Sequence, residues 1–223
     1  AAPGGAFSAS KTALLSTRVR DDCDGLDGVA DGVVSNQAAC TPAVVNVAAL
    51  RCAGGADTGD SCLSDAQLDV VTSWTTEATF TGSTTFRNAG WNLTGNEDDP
   101  GAWRTWLTGD GNVTTALQFL FQDTTVKNYL ARDRTVDSLA YTPWDQNQNA
   151  LYAMAALNDA TNADIRPFIN SGGKLVLWHG GNDAALSAKS TVEYYGNMRS
   201  AVGASAAGGS TRFYVAPGVT HCA

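Results

Sequence analysis

The sequence predicts an α/β fold: parallel strands near the end of the chain, preceded by a long, mostly helical and irregular region. Three observations carry this. Residues 174–178 (KLVLW) are a short apolar run after Gly172-Gly173, consistent with a buried parallel strand. Residues 212–216 (RFYVA) are a second such run. Between them, residues 187–202 place Val192, Tyr195 and Met198 at helical spacing, facing a core. Strand, helix and strand make a βαβ unit, which requires a parallel sheet.

The preceding elements follow in order. Residues 8–20 read as a helix, with Ser8 or Ser10 as its cap. An Asp/Gly-rich loop occupies 21–32, and 41–60 reads as irregular. Ser64-Asp65-Ala66-Gln67 fits a capping box. It opens a helix to about Glu77 with Leu68, Val71 and Trp74 on one face. Residues 79–112 are loop-like. Residues 113–131 look helical, with Leu117, Leu120, Phe121 and Leu130 as apolar positions. Residues 133–150 are polar and irregular, and 162–168 form a short helix. A two-stranded parallel sheet leaves both edges open, so further strands are expected from chain outside these residues.

The length of 223 residues suits one domain, or one domain with an insertion. A hydrophobic content of 43% supplies a core. The 14 basic residues against 22 acidic ones give a net charge of −8. That balance excludes the broad basic face needed for nucleic acid or an anionic membrane. No apolar run approaches the roughly 20 residues that span a bilayer. The first ten residues lack a basic region followed by an apolar core.

The cysteines are Cys23, Cys40, Cys52, Cys62 and Cys222. Their spacing does not suit structural zinc. Short loops closed by Cys23–Cys40 and Cys52–Cys62 are expected, which implies an oxidising compartment, secreted or periplasmic. Buried free thiols in a cytosolic protein are the other reading. Cys222 is left as a free thiol or as the partner of a cysteine outside this chain.

Residues 21–34 read DDCDGLDGVADGVV. Asp24, Asp27 and Asp31 repel one another unless a cation holds them, and the intervening glycines let backbone carbonyls turn inward. Such hard oxygen donors suit Ca²⁺. A solvated acidic turn is the plainer alternative.

The strands are followed by His179-Gly180-Gly181-Asn182-Asp183 and by Pro217-Gly218-Val219-Thr220-His221-Cys222. Functional residues of parallel sheets gather at these carboxyl ends. An acid after one strand and a histidine after the next is how α/β-hydrolases supply the last two members of a Ser-Asp-His triad. Asp183 would then orient His221, and His221 would carry the proton between serine and leaving group. His179 reads as a strand-end residue packing near the acid loop. The alternatives are a turn residue for Asp183 and a tail residue for His221. No Gly-x-Ser-x-Gly occurs in the sequence. Ser171 precedes the acid-bearing strand and Ser210 lies between acid and histidine, so neither fits the nucleophile's place.

These segments together resemble the tannase/feruloyl esterase family. The resemblance rests on CDGLDGVADGVV (23–34), DSCLSDAQL (60–68), GGKLVLWHGGND (172–183), STVEYY (190–195) and FYVAPGVTHC (213–222). It implies the C-terminal portion of an α/β-hydrolase, residues 162–223, preceded by a large lid, residues 1–161, with a structural Ca²⁺ site. By position, Asp24, Asp27 and Asp31 would be side-chain ligands, and Val29 and Val33 would offer carbonyls. Asp183 and His221 would be acid and base. The nucleophile would be a serine following a cysteine, and that cysteine would bond to Cys222. Both would lie outside this chain, which is then expected to be inactive alone. Val219-Thr220 stands where the family usually has Met-Gly. Trp91, Trp103 and Trp106 would face an aromatic acyl group or form lid core.

The expected function is a secreted serine carboxylesterase acting on hydroxycinnamate, gallate or terephthalate esters, with a small aromatic ester as partner. A non-catalytic Ca²⁺-dependent binding or adhesion module is the contrasting class. It has no need of Asp183 and His221. A family member without its serine would be inactive.

Overall fold

The computed structural model describes residues 4–81, 85–109 and 111–221. Helix α1 (Ala9–Cys23) begins where Ser8 Oγ accepts the Lys11 N–H, which places the cap on Ser8. It runs to Cys23, further than expected, and a 3₁₀ turn (Asp24–Asp27) continues it. The acidic loop is therefore partly helical. Lys11 is buried on α1, its Nζ donating to Asp57, to the Cys62 carbonyl and to Gln67. These partners offset its desolvation.

Residues 41–60 are more ordered than expected. Thr41 caps α2 (Pro42–Val45), and a 3₁₀ turn (Val47–Leu50) follows. Both expected disulfides are present, Cys23–Cys40 and Cys52–Cys62. Cys222 lies outside the described residues. Helix α3 (Asp65–Thr75) opens with the predicted capping box between Ser64 and Gln67. Val71 is buried, and Leu68 and Trp74 pack against the same core.

The stretch 79–112 is not all loop. Strands β1 (Ala78–Thr81) and β2 (Thr85–Asn88) form an antiparallel hairpin with Phe80 opposite Phe86. Its rings stack on distant partners, Phe80 on Trp144 and Phe86 on Tyr152. Arg104–Thr108 is a single π turn. Helix α4 (Leu117–Thr125) also runs into a π turn, Val126–Leu130. Leu130 of that turn is buried, while Leu120 and Phe121 of α4 are exposed. The tract 133–150 holds α5 (Pro143–Gln146) and the start of α6 (Gln148–Asn158), which the Asn147 side chain caps. The helix expected at 162–168 is α7 (Arg166–Asn170), shifted along the chain with Pro167 in its first turn.

Strand β3 (Leu175–Gly180), α8 (Ala188–Val202), the unforeseen α9 (Ala204–Ser210) and β4 (Thr211–Ala216) follow. β3 and β4 are parallel, in register from Leu175–Thr211 to Gly180–Ala216. Met198 of α8 is buried and Tyr195 lies against Phe213, but Val192 is exposed. The expectation of a strand buried on both faces is corrected. Side chains of β3 alternate, with Val176 and Trp178 each 65% exposed and Tyr214 of β4 58% exposed. Among the described residues, nothing covers that face.

The main apolar cluster includes Leu15, Val45, Val71, Leu93 and Trp103, and also Ala184 from the loop after β3. The N-terminal region and the acid loop thus share one core.

Candidate active site

The loops after β3 and β4 interlock through their backbones. Gly181 donates to the Ala216 carbonyl at 2.7 Å, and Asn182 to that of Val219 at 3.0 Å. A Cβ on Gly180 would overlap the Val219 carbonyl oxygen, so only glycine permits this approach. The interlock brings Asp183 to His221, with Oδ2 3.0 Å from Nδ1. Asp183 Oδ1 accepts the N–H groups of Ala185 and Leu186, both at 2.8 Å. The Asp183 side chain is 8% exposed and that of His221 31%. A buried carboxylate needs such donors, and here they also fix its orientation. With Nδ1 engaged, Nε2 of His221 is the nitrogen left to exchange a proton.

His179, read from sequence as a packing residue, does more than pack. Its Nε2 lies 3.3 Å from the same Asp183 Oδ2. The signal was present: His179 stands four residues before the acid, at the end of the strand that delivers it. Asn182 was also passed over. Its Oδ1 accepts from Gln37 Nε2 at 2.9 Å and from Gly218 N at 3.0 Å, and its Nδ2 donates to Asn96 at 2.5 Å. No sequence signal linked residues so far apart. Further ties hold the acid loop, since Gln118 Nε2 donates to the Ala185 carbonyl and Ser187 Oγ to that of Gly90.

The three tryptophans separate. Trp106 meets the His221 ring edge-on, centroids 4.8 Å apart. Trp91 stacks on Trp74 at 4.0 Å, and its indole nitrogen is buried without a hydrogen-bond partner. Trp103 is 3% exposed and packs edge-on against Phe7 in the core.

A sequence model of the family "Tannase and feruloyl esterase" matches residues 2–223. The chain belongs to this family. It is 29% identical to mono(2-hydroxyethyl) terephthalate hydrolase of Piscinibacter sakaiensis over 97% of its own length and 40% of that protein's. It is 27% identical to a probable feruloyl esterase of Arthroderma benhamiae over 90% and 37%. It therefore spans well under half the length of these relatives. Among solved structures, feruloyl esterase B from Aspergillus oryzae superposes with a TM-score of 0.77 at 23% identity, covering 100% of this chain and 42% of that one. At that identity the likeness is one of fold: this tannase and feruloyl esterase chain has the architecture of an α/β-hydrolase portion.

The acidic loop of this family member is closed by Cys23–Cys40. Asp24 accepts from the N–H groups of Asp31 and Gly32, Asp27 from Val29, and Asp31 from Val33. No three His, Cys, Asp or Glu side chains among the described residues converge as a metal cluster. Asp27 and Asp31 are exposed and Asp24 is half-buried, and carboxylates are the donor type that a hard cation takes.

Two adjacent carboxyls near Asn96 are driven apart. Burial pushes Glu97 above the usual carboxylate range, although Thr94 and Gly95 donate backbone N–H groups to it. Asp98 is only partly desolvated, and hydrogen bonds from Arg20 and Ser16 outweigh that burial and hold it low. Burial alone lowers Lys189, whose Nζ donates to the Thr75 carbonyl.

Proposed function

We propose that this chain supplies the acid, the base and the lid of a serine carboxylic-ester hydrolase acting on aromatic acid esters. The family it belongs to and the names of its relatives support hydroxycinnamate, gallate or terephthalate acyl groups. One observation carries the assignment: Asp183 and His221 meet at 3.0 Å across the ends of adjacent parallel strands. A binding module has no use for that pair.

The nucleophile is a serine outside residues 1–223, next to a cysteine bonded to Cys222. His221 Nε2 takes the serine proton as Oγ attacks the ester carbonyl. The imidazolium, held at Nδ1–H by Asp183, then protonates the departing alkoxide. Water repeats the sequence in the second half and releases the acid. Residues 1–161 are the lid, and Trp106 and Trp91 offer aromatic surface to the acyl ring. Asp24, Asp27 and Asp31 with the carbonyls of Val29 and Val33 would hold Ca²⁺, whose role is to brace the loop. Disulfide formation supports a secreted or periplasmic protein.

The test uses the protein carrying this chain together with its nucleophile segment. Turnover on a panel of ferulate, gallate and terephthalate esters is expected, and His221→Ala is expected to abolish it. Retained turnover in the variant would sink the triad assignment. Intact mass with and without reductant shows whether a second polypeptide hangs on Cys222.

A further inference from the structure

Two imidazoles lie against Asp183, not one. His179 Nε2 is 3.3 Å from Asp183 Oδ2 and 3.2 Å from the Leu186 carbonyl oxygen. Neither a carboxylate nor a carbonyl has a hydrogen to give, so Nε2 must carry the proton. His179 Nδ1 lies 2.7 Å from Thr191 Oγ1. In the neutral ring Nδ1 is the acceptor, and Thr191 donates to it. The His179 side chain is only 13% exposed, so water competes little for either nitrogen.

The Asp183 carboxylate thus takes three hydrogen bonds and has a second imidazole beside it. Oδ1 takes two backbone N–H groups from its own loop and Oδ2 takes His221 Nδ1, while His179 Nε2, hydrogen-bonded to the Leu186 carbonyl, lies 3.3 Å from Oδ2. We propose that His179 is a positioning residue. Its Nε2–H, held in that tautomer by the Leu186 carbonyl, lies against Asp183 Oδ2, steadies it for His221 and takes a share of its charge. The kinetic consequence rests on the esterase reading above; the tautomer does not.

The sharing sets a direction. A second N–H dipole 3.3 Å from the acceptor draws on its charge, so removing the His179 N–H leaves more of that charge to His221. His221 then becomes more basic, and the acid limb of the kcat/KM profile moves to higher pH. A merely structural role moves it the other way, because a collapsed acid loop frees His221 from its anion. No other ionisable group bonds to this trio among the described residues. On α8, Lys189 gives its Nζ to Thr75 and Glu193 pairs with Arg87.

The experiment uses the same protein with its nucleophile segment. Long-range ¹H–¹⁵N correlation of the imidazoles is expected to show His179 protonated at Nε2 and bare at Nδ1. The opposite tautomer overturns the proposal. His179→Gln, whose amide N–H can stand in for Nε2–H, is expected to keep most of kcat/KM and the wild-type acid limb. His179→Leu is expected to lose roughly tenfold or more in kcat/KM, with the acid limb displaced upward. An acid limb that stays in place or falls overturns the proposal. Should His179→Leu fail to fold, Thr191→Val is read instead: the Nε2–H tautomer is expected to persist, because the acceptors at Nε2 fix it, and a switch to Nδ1–H overturns the proposal. A wild-type protein with the expected tautomer but no esterase activity would refute the esterase reading and leave the arrangement standing.

Discussion

Gln37, between the acidic loop and the first disulfide's second cysteine, donates its Nε2 to Asn182 Oδ1 at 2.9 Å, and both side chains are buried. The same oxygen takes the Gly218 N–H, so one amide joins the N-terminal region to both loops of the acid–base pair. A Cβ on Gly181 would sit 2.7 Å from Gln37 Nε2, so the contact leaves no room for a larger residue there. The two side chains should behave as one unit. Gln37→Ala and Asn182→Ala are each expected to cost about 1–3 kcal/mol of stability, and the double variant less than their sum. A double-mutant cycle in urea checks this, and simple additivity would show that the bond does not couple the regions.

Calcium should stabilise the loop at Asp24, Asp27 and Asp31. Binding to the folded state alone adds about 2.7 kcal/mol at one hundred times Kd, or on the order of 5–10 °C in Tm for a chain of this size. A chelator should therefore lower the thermal midpoint, and Asp24→Ala should remove the effect of both chelator and added Ca²⁺. An unmoved midpoint in the wild-type protein would leave the loop as an acidic turn.

The parts of the fold legible in sequence were those whose signals are local. The capping box at Ser64 and Gln67, both disulfides, the β3–α8–β4 unit and the pairing of Asp183 with His221 all emerged where their residues placed them. The β1–β2 hairpin did not, because Phe80 and Phe86 find their partners in Trp144 and Tyr152, far along the chain. Val192 and Leu120 are exposed because helical spacing gives a face but not its neighbour. Asn182 gains its role only where loops distant in sequence meet, whereas His179 stands four residues before the acid and its partners are local.

Glu97 should make stability depend on pH. It is buried, and its folded-state pKa lies above the unfolded value because desolvation penalises the anion. A raised acid stabilises fully below the unfolded pKa, and its contribution is lost as pH rises through the folded one. Its neighbour fits this. Ser16 Oγ has one hydrogen and three nearby acceptors, the Gly95 carbonyl, Glu97 and Asp98, so a protonated Glu97 can donate to Ser16. Glu97→Gln keeps the shape without the titration. The urea midpoint of the variant relative to wild type should rise from about pH 4 to about pH 8. A difference that stays constant over that range would mean Glu97 titrates normally.

Trp103 and Trp106 stand close in sequence and should respond in opposite ways. Trp103 is 3% exposed and edge-on to Phe7, at 5.7 Å, inside the main core. Its replacement by Ala leaves a cavity among residues that cannot collapse into it, at a cost of about 3–5 kcal/mol. Trp106 packs against the core on one side and meets His221 on the other. Trp106→Ala should cost less stability but more catalysis, because the ring that bounds the imidazole is gone and His221 gains freedom to leave Asp183. The expected pattern is a large fall in thermal midpoint with near-normal kcat/KM per folded molecule for Trp103→Ala, and the reverse for Trp106→Ala. If Trp106→Ala turns over esters as well as wild type, the ring is wall and nothing more, and the acyl site must be sought beyond it.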